Sequence, residues 1–268
     1  MKSNNSSISF VGSILLAAAL TLFRSGSLRH ATPLGPLYTI EDMGQTSSRL
    51  SLSEQRDGNS VRVISADKPY GEVGWMRAQG RNTSHAFLLH NGQLEDLGTL
   101  GGNSSYAWDL NAYGWVVGYS QTPDRSRHAF LFQGSLMADL GTLGGEDSRA
   151  YGVNDQGQIV GYADTDRGER HAFLYDQGRL SDLGTLGGLD SVAYSINNKG
   201  QVVGSALPLH ADRHAVLWQQ GAMYDLNRQI PSDLGWELVE VSRIDDQGRI
   251  WGNGLLRGLW RRFVLTPR

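Results

Sequence analysis

The sequence predicts an all-β protein assembled from repeats, and three observations carry that prediction. The 268 residues include 34 glycines, nearly twice the usual share of about 7%. No long stretch has helical periodicity; short apolar runs alternate instead with turns containing Gly or Asn. Three motifs also recur in fixed order, two of them in steps of 43 residues throughout.

In chain order, Lys2 precedes an apolar run from Ile8 to Phe23 centred on Ile14-Leu15-Leu16-Ala17-Ala18-Ala19-Leu20. A short apolar core behind a positive end reads as a secretory signal over residues 1–27, with Ser25 and Ser27 as the small residues of a cleavage site. The alternative is an uncleaved N-terminal anchor, the chain's one expected membrane contact. Either reading exports the remainder. Residues 28–36 form a linker, and 37–267 a single domain.

The domain's first motif is His85-Ala86-Phe87-Leu88, returning at 128–131, 171–174 and, as His214-Ala215-Val216-Leu217, in a fourth copy. The second, Asp96-Leu97-Gly98-Thr99-Leu100-Gly101-Gly102, returns at 139–145 and 182–188 and shortens to Asp225-Leu226-Asn227. The third is Val153-Asn154-Asp155-Gln156-Gly157-Gln158-Ile159-Val160-Gly161, with relatives at 110–118, 196–204 and 244–252. Each unit holds four apolar runs; in one copy they are 149–154, 158–162, 171–175 and 180–183. Asp155-Gln156-Gly157 suits a turn with Gly in the left-handed region, and Asn91-Gly92 suits a tight hairpin. Four antiparallel strands in about 43 residues is the size of one propeller blade.

The chain ends complement each other. Arg262 follows Gly252 by the same ten residues that separate His171 from Gly161, so the last unit lacks a fourth strand. Tyr38-Thr39-Ile40-Glu41-Asp42-Met43-Gly44 resembles that missing strand. An open solenoid needs polar caps instead. The predicted fold is therefore a β-propeller of five four-stranded blades, closed by the N-terminal strand completing the C-terminal blade. Small residues Ala150 and Gly152 place the first strand of each unit innermost.

Together these signatures resemble the extracellular HAF-repeat family, named for the tripeptide seen at 85–87, 128–130 and 171–173. The resemblance covers residues 37–267 and implies bacterial export and a repeat fold; it brings no catalytic residues. The departures are an unmatched stretch near 45–59, an insertion at 229–236, and Arg262-Phe263-Val264 in place of the tripeptide.

The remaining composition narrows the function classes. Cysteine is absent, which excludes disulfides, thiolate metal sites and a Cys nucleophile. A net charge of −3 supplies no basic field for nucleic acid. There is no nucleophile elbow, phosphate-cradling Gly loop or His-Glu-x-x-His, so no catalytic residue, metal or cofactor is assigned.

Two residue sets stand out. His85, His128, His171 and His214 each precede an Asp by eleven residues: Asp96, Asp139, Asp182 and Asp225. A two-residue hairpin sets each pair diagonally on one sheet face, which predicts structural His–Asp hydrogen bonds, with Arg262 and Asp42 as the counterpart across the chain ends. One His per blade cannot converge on a metal ion. The second set is Arg127, Arg170 and Arg213 before the tripeptide, with Asp147 and Asp190 on the neighbouring loop family and Trp115 where sibling units carry Gln158 and Gln201. These form either solvated ion pairs or a site for a carboxylated or hydroxylated ligand. The expected function is a non-enzymatic, monomeric, exported binding or surface-interaction module for a glycan or cell-envelope partner. The alternatives are an extracellular hydrolase or lyase at the axial mouth and a purely structural envelope protein.

Overall fold

The computed structural model describes residues 37–45, 61–65, 68–77 and 83–268. The predicted leader 1–27, the linker 28–36 and most of the unmatched stretch at 45–59 lie outside these residues. No helix among the described residues is long and apolar enough to cross a membrane.

The structure is all-β. Strand β1 (Tyr38–Gln45) precedes four consecutive antiparallel sheets. The first is β2 (Val61–Ser65), β3 (Glu72–Arg77), β4 (Ser84–His90) and β5 (Gln93–Asp96). The second is β6 (Ser105–Leu110), β7 (Val116–Gln121), β8 (Arg127–Gln133) and β9 (Leu136–Asp139). The third is β10 (Gly144–Val153), β11 (Ile159–Thr165), β12 (Arg170–Asp176) and β13 (Arg179–Asp182). The fourth is β14 (Gly187–Ile196), β15 (Val202–Pro208), β16 (His214–Gln219) and β17 (Ala222–Asp225). A fifth sheet comprises β18 (Trp236–Ile244), β19 (Ile250–Leu256) and β20 (Leu259–Pro267), with β1 paired to β20 from Tyr38↔Pro267 to Asp42↔Phe263. The third and fourth sheets touch through one parallel bridge, Arg170↔Asp190.

The repeated motifs explain why the sheets stack in propeller-like succession. Ala86, Ala129, Ala172 and Ala215 are fully buried, and Phe87, Phe130 and Phe173 fill the space between neighbours. Apolar clusters lie between successive sheets: Phe130 joins Val73 and Ala86, and Phe173 joins Val117 and Ala129. Burying a large apolar side chain stabilises by roughly 1.5–3 kcal/mol, and a sheet standing alone would leave these faces wet.

Two kinds of polar stitch accompany the apolar layers. Ser105, Ser148 and Ser191 are fully buried; each Oγ accepts the N–H of the preceding sheet's motif alanine, at 2.8 Å. The same hydroxyls donate to Gly98, Gly141 and Gly184. At the other end of the strands, Asn111 Nδ2 donates to Asn154 O, Asn154 Nδ2 to Asn197 O, and Asn197 Nδ2 to Asp245 O. Each of these Asn residues also caps its own turn: Asn154 Oδ1 accepts from the N–H groups of Gln156 and Gln158.

The first strand of every sheet carries a β-bulge, between Val63/Ser65, Ala107/Asp109, Ala150/Gly152, Ala193/Ser195 and Val241/Arg243. The extra residues are Ile64, Trp108, Tyr151, Tyr194 and Ser242. The bulge drives the first strand's carbonyl against the second strand, which accounts for the motif's last glycine. A Cβ on Gly161 would sit 1.8 Å from Arg149 O.

Candidate functional site

The bulges re-aim side chains toward the loop end of the strands, where β10 and β11 begin and finish beside the longer loops. Just before each bulge, the first strand presents Tyr106, Arg149, Val192 and Glu240 in successive sheets. Opposite them the second strand presents Tyr119, Tyr162, Ser205 and Asn253, with Trp75 at the same position of the first sheet. The backbone repeats here while the chemistry does not.

From the first sheet to the third, these side chains interleave into a ladder of planar groups. Trp75 meets Tyr106 edge to face at 5.3 Å, and Tyr106 stacks on Tyr119 at 4.9 Å. The Arg149 guanidinium then lies 4.5 Å from the Tyr119 ring centre and 5.8 Å from that of Tyr162. Arg170 covers Tyr162, at 4.5 Å. A parallel row of bulge residues runs beside the ladder, with Trp108–Tyr151 at 5.5 Å and Tyr151–Tyr194 at 5.7 Å.

Arg149 is the centre of this arrangement. It is half-buried and hydrogen-bonds Tyr151, while its buried Nε has no partner among the described residues. Burial disfavours the guanidinium charge, but Tyr162, Tyr119 and Tyr151 outweigh it and raise the group's pKa above its ordinary value. Burial also pushes Tyr119 up to about 12 and raises Tyr151, Tyr162 and Tyr194. All four phenols therefore stay protonated in neutral solution and leave the guanidinium charge uncancelled. Stacking on aromatic faces contributes about 0.5–2 kcal/mol per contact and holds the plane fixed.

Five of the six predicted ligand residues surround this cage. Asp147 Oδ1 accepts the Arg127 N–H at 2.9 Å, and its Oδ2 lies 3.8 Å from Arg127 Nη1. Asp190 lies 4.0 Å from Arg170 and 2.7 Å from Arg213, whose second nitrogen donates to Ser205 Oγ at 3.1 Å. Arg127 and Arg170 thus reach the next sheet, whereas Arg213 pairs within its own. Asp164 faces the same region. Burial first, and repulsion from Asp147 and Glu146 as well, raise its carboxyl above the usual range.

Trp115 does not join them. It directly follows the 111–115 turn, at the opposite end of the strands, and lines a cleft with Gly157 and Tyr175. The turn's position in the strand order separates it from the arginines.

The four histidines bond their aspartates through Nδ1, at 2.9 Å for His85–Asp96, 2.8 Å for His128–Asp139, 2.8 Å for His171–Asp182 and 2.9 Å for His214–Asp225. The other carboxylate oxygen caps the backbone N–H two residues on, as Asp139 Oδ1 does for Gly141 at 2.8 Å. The hydrogen bond that each ring donates to its aspartate raises the pKa of His171 and of His214. At the chain ends the partner of Asp42 is Arg261, 3.1 Å away, and not Arg262. Gly252 pairs with Phe263 as Gly161 pairs with Phe173, so the connection is one residue shorter. A tight turn at Arg257-Gly258 replaces the longer polar loop, and Arg262 takes the alanine position of the motif.

Arg149, Tyr119 and Tyr162 escaped the sequence reading because it weighed constant positions. The signal was present in the variable column Tyr106, Arg149, Val192, Glu240, whose first three members are flanked by constant Ser and Ala.

No family model matches the chain, and no curated protein matches it. Among solved structures it is similar to TolB from Acinetobacter baumannii, at 14% identity and a TM-score of 0.45, covering 74% of this chain and 51% of that one. It is also similar to the catalytic domain of the Coprinopsis cinerea GH62 alpha-L-arabinofuranosidase, at 10% identity and a TM-score of 0.31, covering 88% and 98%. A third likeness is to a Trypanosoma rangeli sialidase, at 11% identity and a TM-score of 0.35, covering 80% and 40%. The chain thus spans about half the length of the TolB structure, and no activity follows from these likenesses.

Proposed function

We propose that this chain is an exported HAF-repeat protein whose five sheets form a closed propeller. It works as a non-enzymatic binding module, taking carboxylated glycans or cell-envelope components at the loop-end mouth. Pairing of β1 with β20 supports the ring, since it leaves both ends of the repeat array in one sheet. The apolar run behind Lys2 supports export.

Arg149 carries the binding reading. A permanent cation is held flat between two phenol rings with one N–H unsatisfied, and buried polar groups generally have partners. A ligand carboxylate would pair with that cation through the fork geometry guanidinium favours. Neutral tyrosine hydroxyls nearby suit the ring hydroxyls of a sugar. Arg127, Arg170 and Arg213, already bridged to Asp147 and Asp190, extend the polar rim.

The test is a screen of the purified protein against uronic-acid-containing and neutral oligosaccharides, with bond cleavage followed in parallel. Acidic ligands bind, binding weakens with added salt, and Arg149→Tyr lowers affinity at least about tenfold. The second reading, a hydrolase or lyase, draws on Asp164, whose raised pKa suits a general acid. Turnover abolished by Asp164→Asn would replace the binding module with that enzyme.

A further inference from the structure

We infer that the turn end of the strands carries a second site, formed between the second and third sheets and built for a neutral pyranose. It lies at the opposite end from the arginine cage and rests on different residues.

The inference starts from one departure in an otherwise regular network. In the third unit, Gln158 Oε1 accepts from Asn154 Nδ2 at 2.8 Å and its Nε2 donates to Asp176 at 3.1 Å. In the fourth, Gln201 accepts from Asn197 at 2.8 Å and donates to Gln219 at 2.9 Å. Each glutamine thus spends its amide on hydrogen bonds within its own sheet. Trp115 occupies the same place in the second unit and cannot make these bonds. Its ring reaches across to the third unit and lies over the Gly157 turn, where a Cβ would come within 2.4 Å of it.

The indole becomes one wall of a cleft of about 380 Å³. Tyr175, Asp176, Gln177, Gln158 and Leu131 line the same cleft. That volume falls within the range of about 300–1,000 Å³ typical of small-molecule sites. The two aromatic rings line the same space without stacking on each other. Among the described residues neither the Trp115 indole N–H nor the Tyr175 hydroxyl has a hydrogen-bond partner. Asp176 has committed one oxygen to Gln158, leaving the other to accept.

The chemistry selects the ligand. The lining contains no Lys, Arg or His and one carboxylate, so an anion is disfavoured. Aromatic faces present apolar area at low conformational cost, matching the C–H face of a sugar ring. A carboxylate acceptor, an amide and two free donors then address hydroxyls around that ring's edge. The Gln158–Asp176 bond fixes both groups before anything binds, which limits the ordering cost.

The experiment is calorimetric titration of the intact chain with cellobiose, maltose and N,N′-diacetylchitobiose, with choline chloride as a cationic probe. At least one neutral disaccharide binds saturably, and Trp115→Gln weakens it at least about tenfold. The thermal midpoint holds, because Gln is what the sibling units use there. Tyr175→Phe, matching Phe132 in the preceding unit, provides a second variant that keeps packing, and it weakens binding by removing the hydroxyl. Absence of binding to all three sugars overturns the inference. Equal affinity in wild type and both variants overturns it too, as does saturable choline binding without sugar binding.

Discussion

Replacing Ser148 by alanine tests whether the stacked sheets are held by specific polar stitches or by apolar contact alone. Ser148 is fully buried; its Oγ accepts the Ala129 N–H at 2.8 Å and donates to Gly141 O at 2.5 Å. Alanine removes one atom, creates almost no cavity, and strands the buried Ala129 N–H and the half-buried Gly141 carbonyl. The buried N–H costs about 1–3 kcal/mol and the half-buried carbonyl about 1, so the expected loss is about 2–4 kcal/mol. For a domain of this size, 1 kcal/mol shifts the thermal midpoint by about 2–4 °C, which puts the variant roughly 4–16 °C lower. Ser105→Ala and Ser191→Ala repeat the experiment at two further interfaces with the same partners and should give the same loss. The assay is equilibrium urea unfolding followed by tryptophan fluorescence, with the slope m checked for constancy. A loss below about 0.5 kcal/mol in all three variants would refute the stitching argument, because water would then be satisfying groups that the structure encloses.

Other positions give sharper or more directional outcomes. Gly161→Ala places a methyl 1.8 Å from Arg149 O, so the bulge must open; soluble yield and thermal midpoint should fall more than for Ser148→Ala. Removing residues 37–44 uncovers the β20 edge and the core contact of Tyr38, and lowers the unfolding midpoint of the whole domain; an unchanged midpoint would show that β1 is an appendage. The pH dependence has a definite sign. His171 and His214 have folded pKa values raised above 6.5, so their contribution is complete below that value and is lost as pH rises through the raised values. The thermal midpoint of the wild type therefore declines from about pH 6.5 upward, and His171→Gln with His214→Gln flattens that decline.

How much of this was legible in the sequence depended on whether register alone decides the contact. Asn91 and Gly92 both have positive φ, at 50° and 74°, as a two-residue hairpin requires; such a turn sets Phe87 opposite Asp96 and leaves His85 within reach of its carboxylate. Spacing suffices for that. Arg261 was misassigned as Arg262 because the reading assumed equal loop lengths, and a connection shortened by one residue flips which side chain reaches Asp42. The cage around Arg149 was harder, since besides its own register partner Tyr162 it takes in Tyr119 of the preceding sheet, 30 positions away. It depends on a bulge that no sequence motif announces. Trp115 was singled out as a departure from its siblings, but only the strand order shows that it faces away from the arginines.

Symmetry offers a way to separate what the fold needs from what the mouth does. Tyr106 occupies in the second unit the place Arg149 holds in the third, and it stacks on Tyr119 at 4.9 Å. Arg149→Tyr therefore inserts a side chain the backbone already accommodates, keeping planarity and discarding charge. Arg149→Lys does the reverse, keeping charge but losing the plane that lies over Tyr119 and the fork that would engage a carboxylate. If the ladder is purely structural, tyrosine leaves stability unchanged, lysine lowers it by about 1 kcal/mol, and neither alters any binding. If the mouth takes acidic ligands, both variants bind more weakly, and the loss in tyrosine is the larger and the less sensitive to salt. Glu240 supplies an internal control because it fills the same column in the fifth unit and raises the pKa of Tyr194 through its charge. Glu240→Gln removes a negative charge from that mouth and should strengthen acidic-ligand binding severalfold, which no account confined to packing predicts.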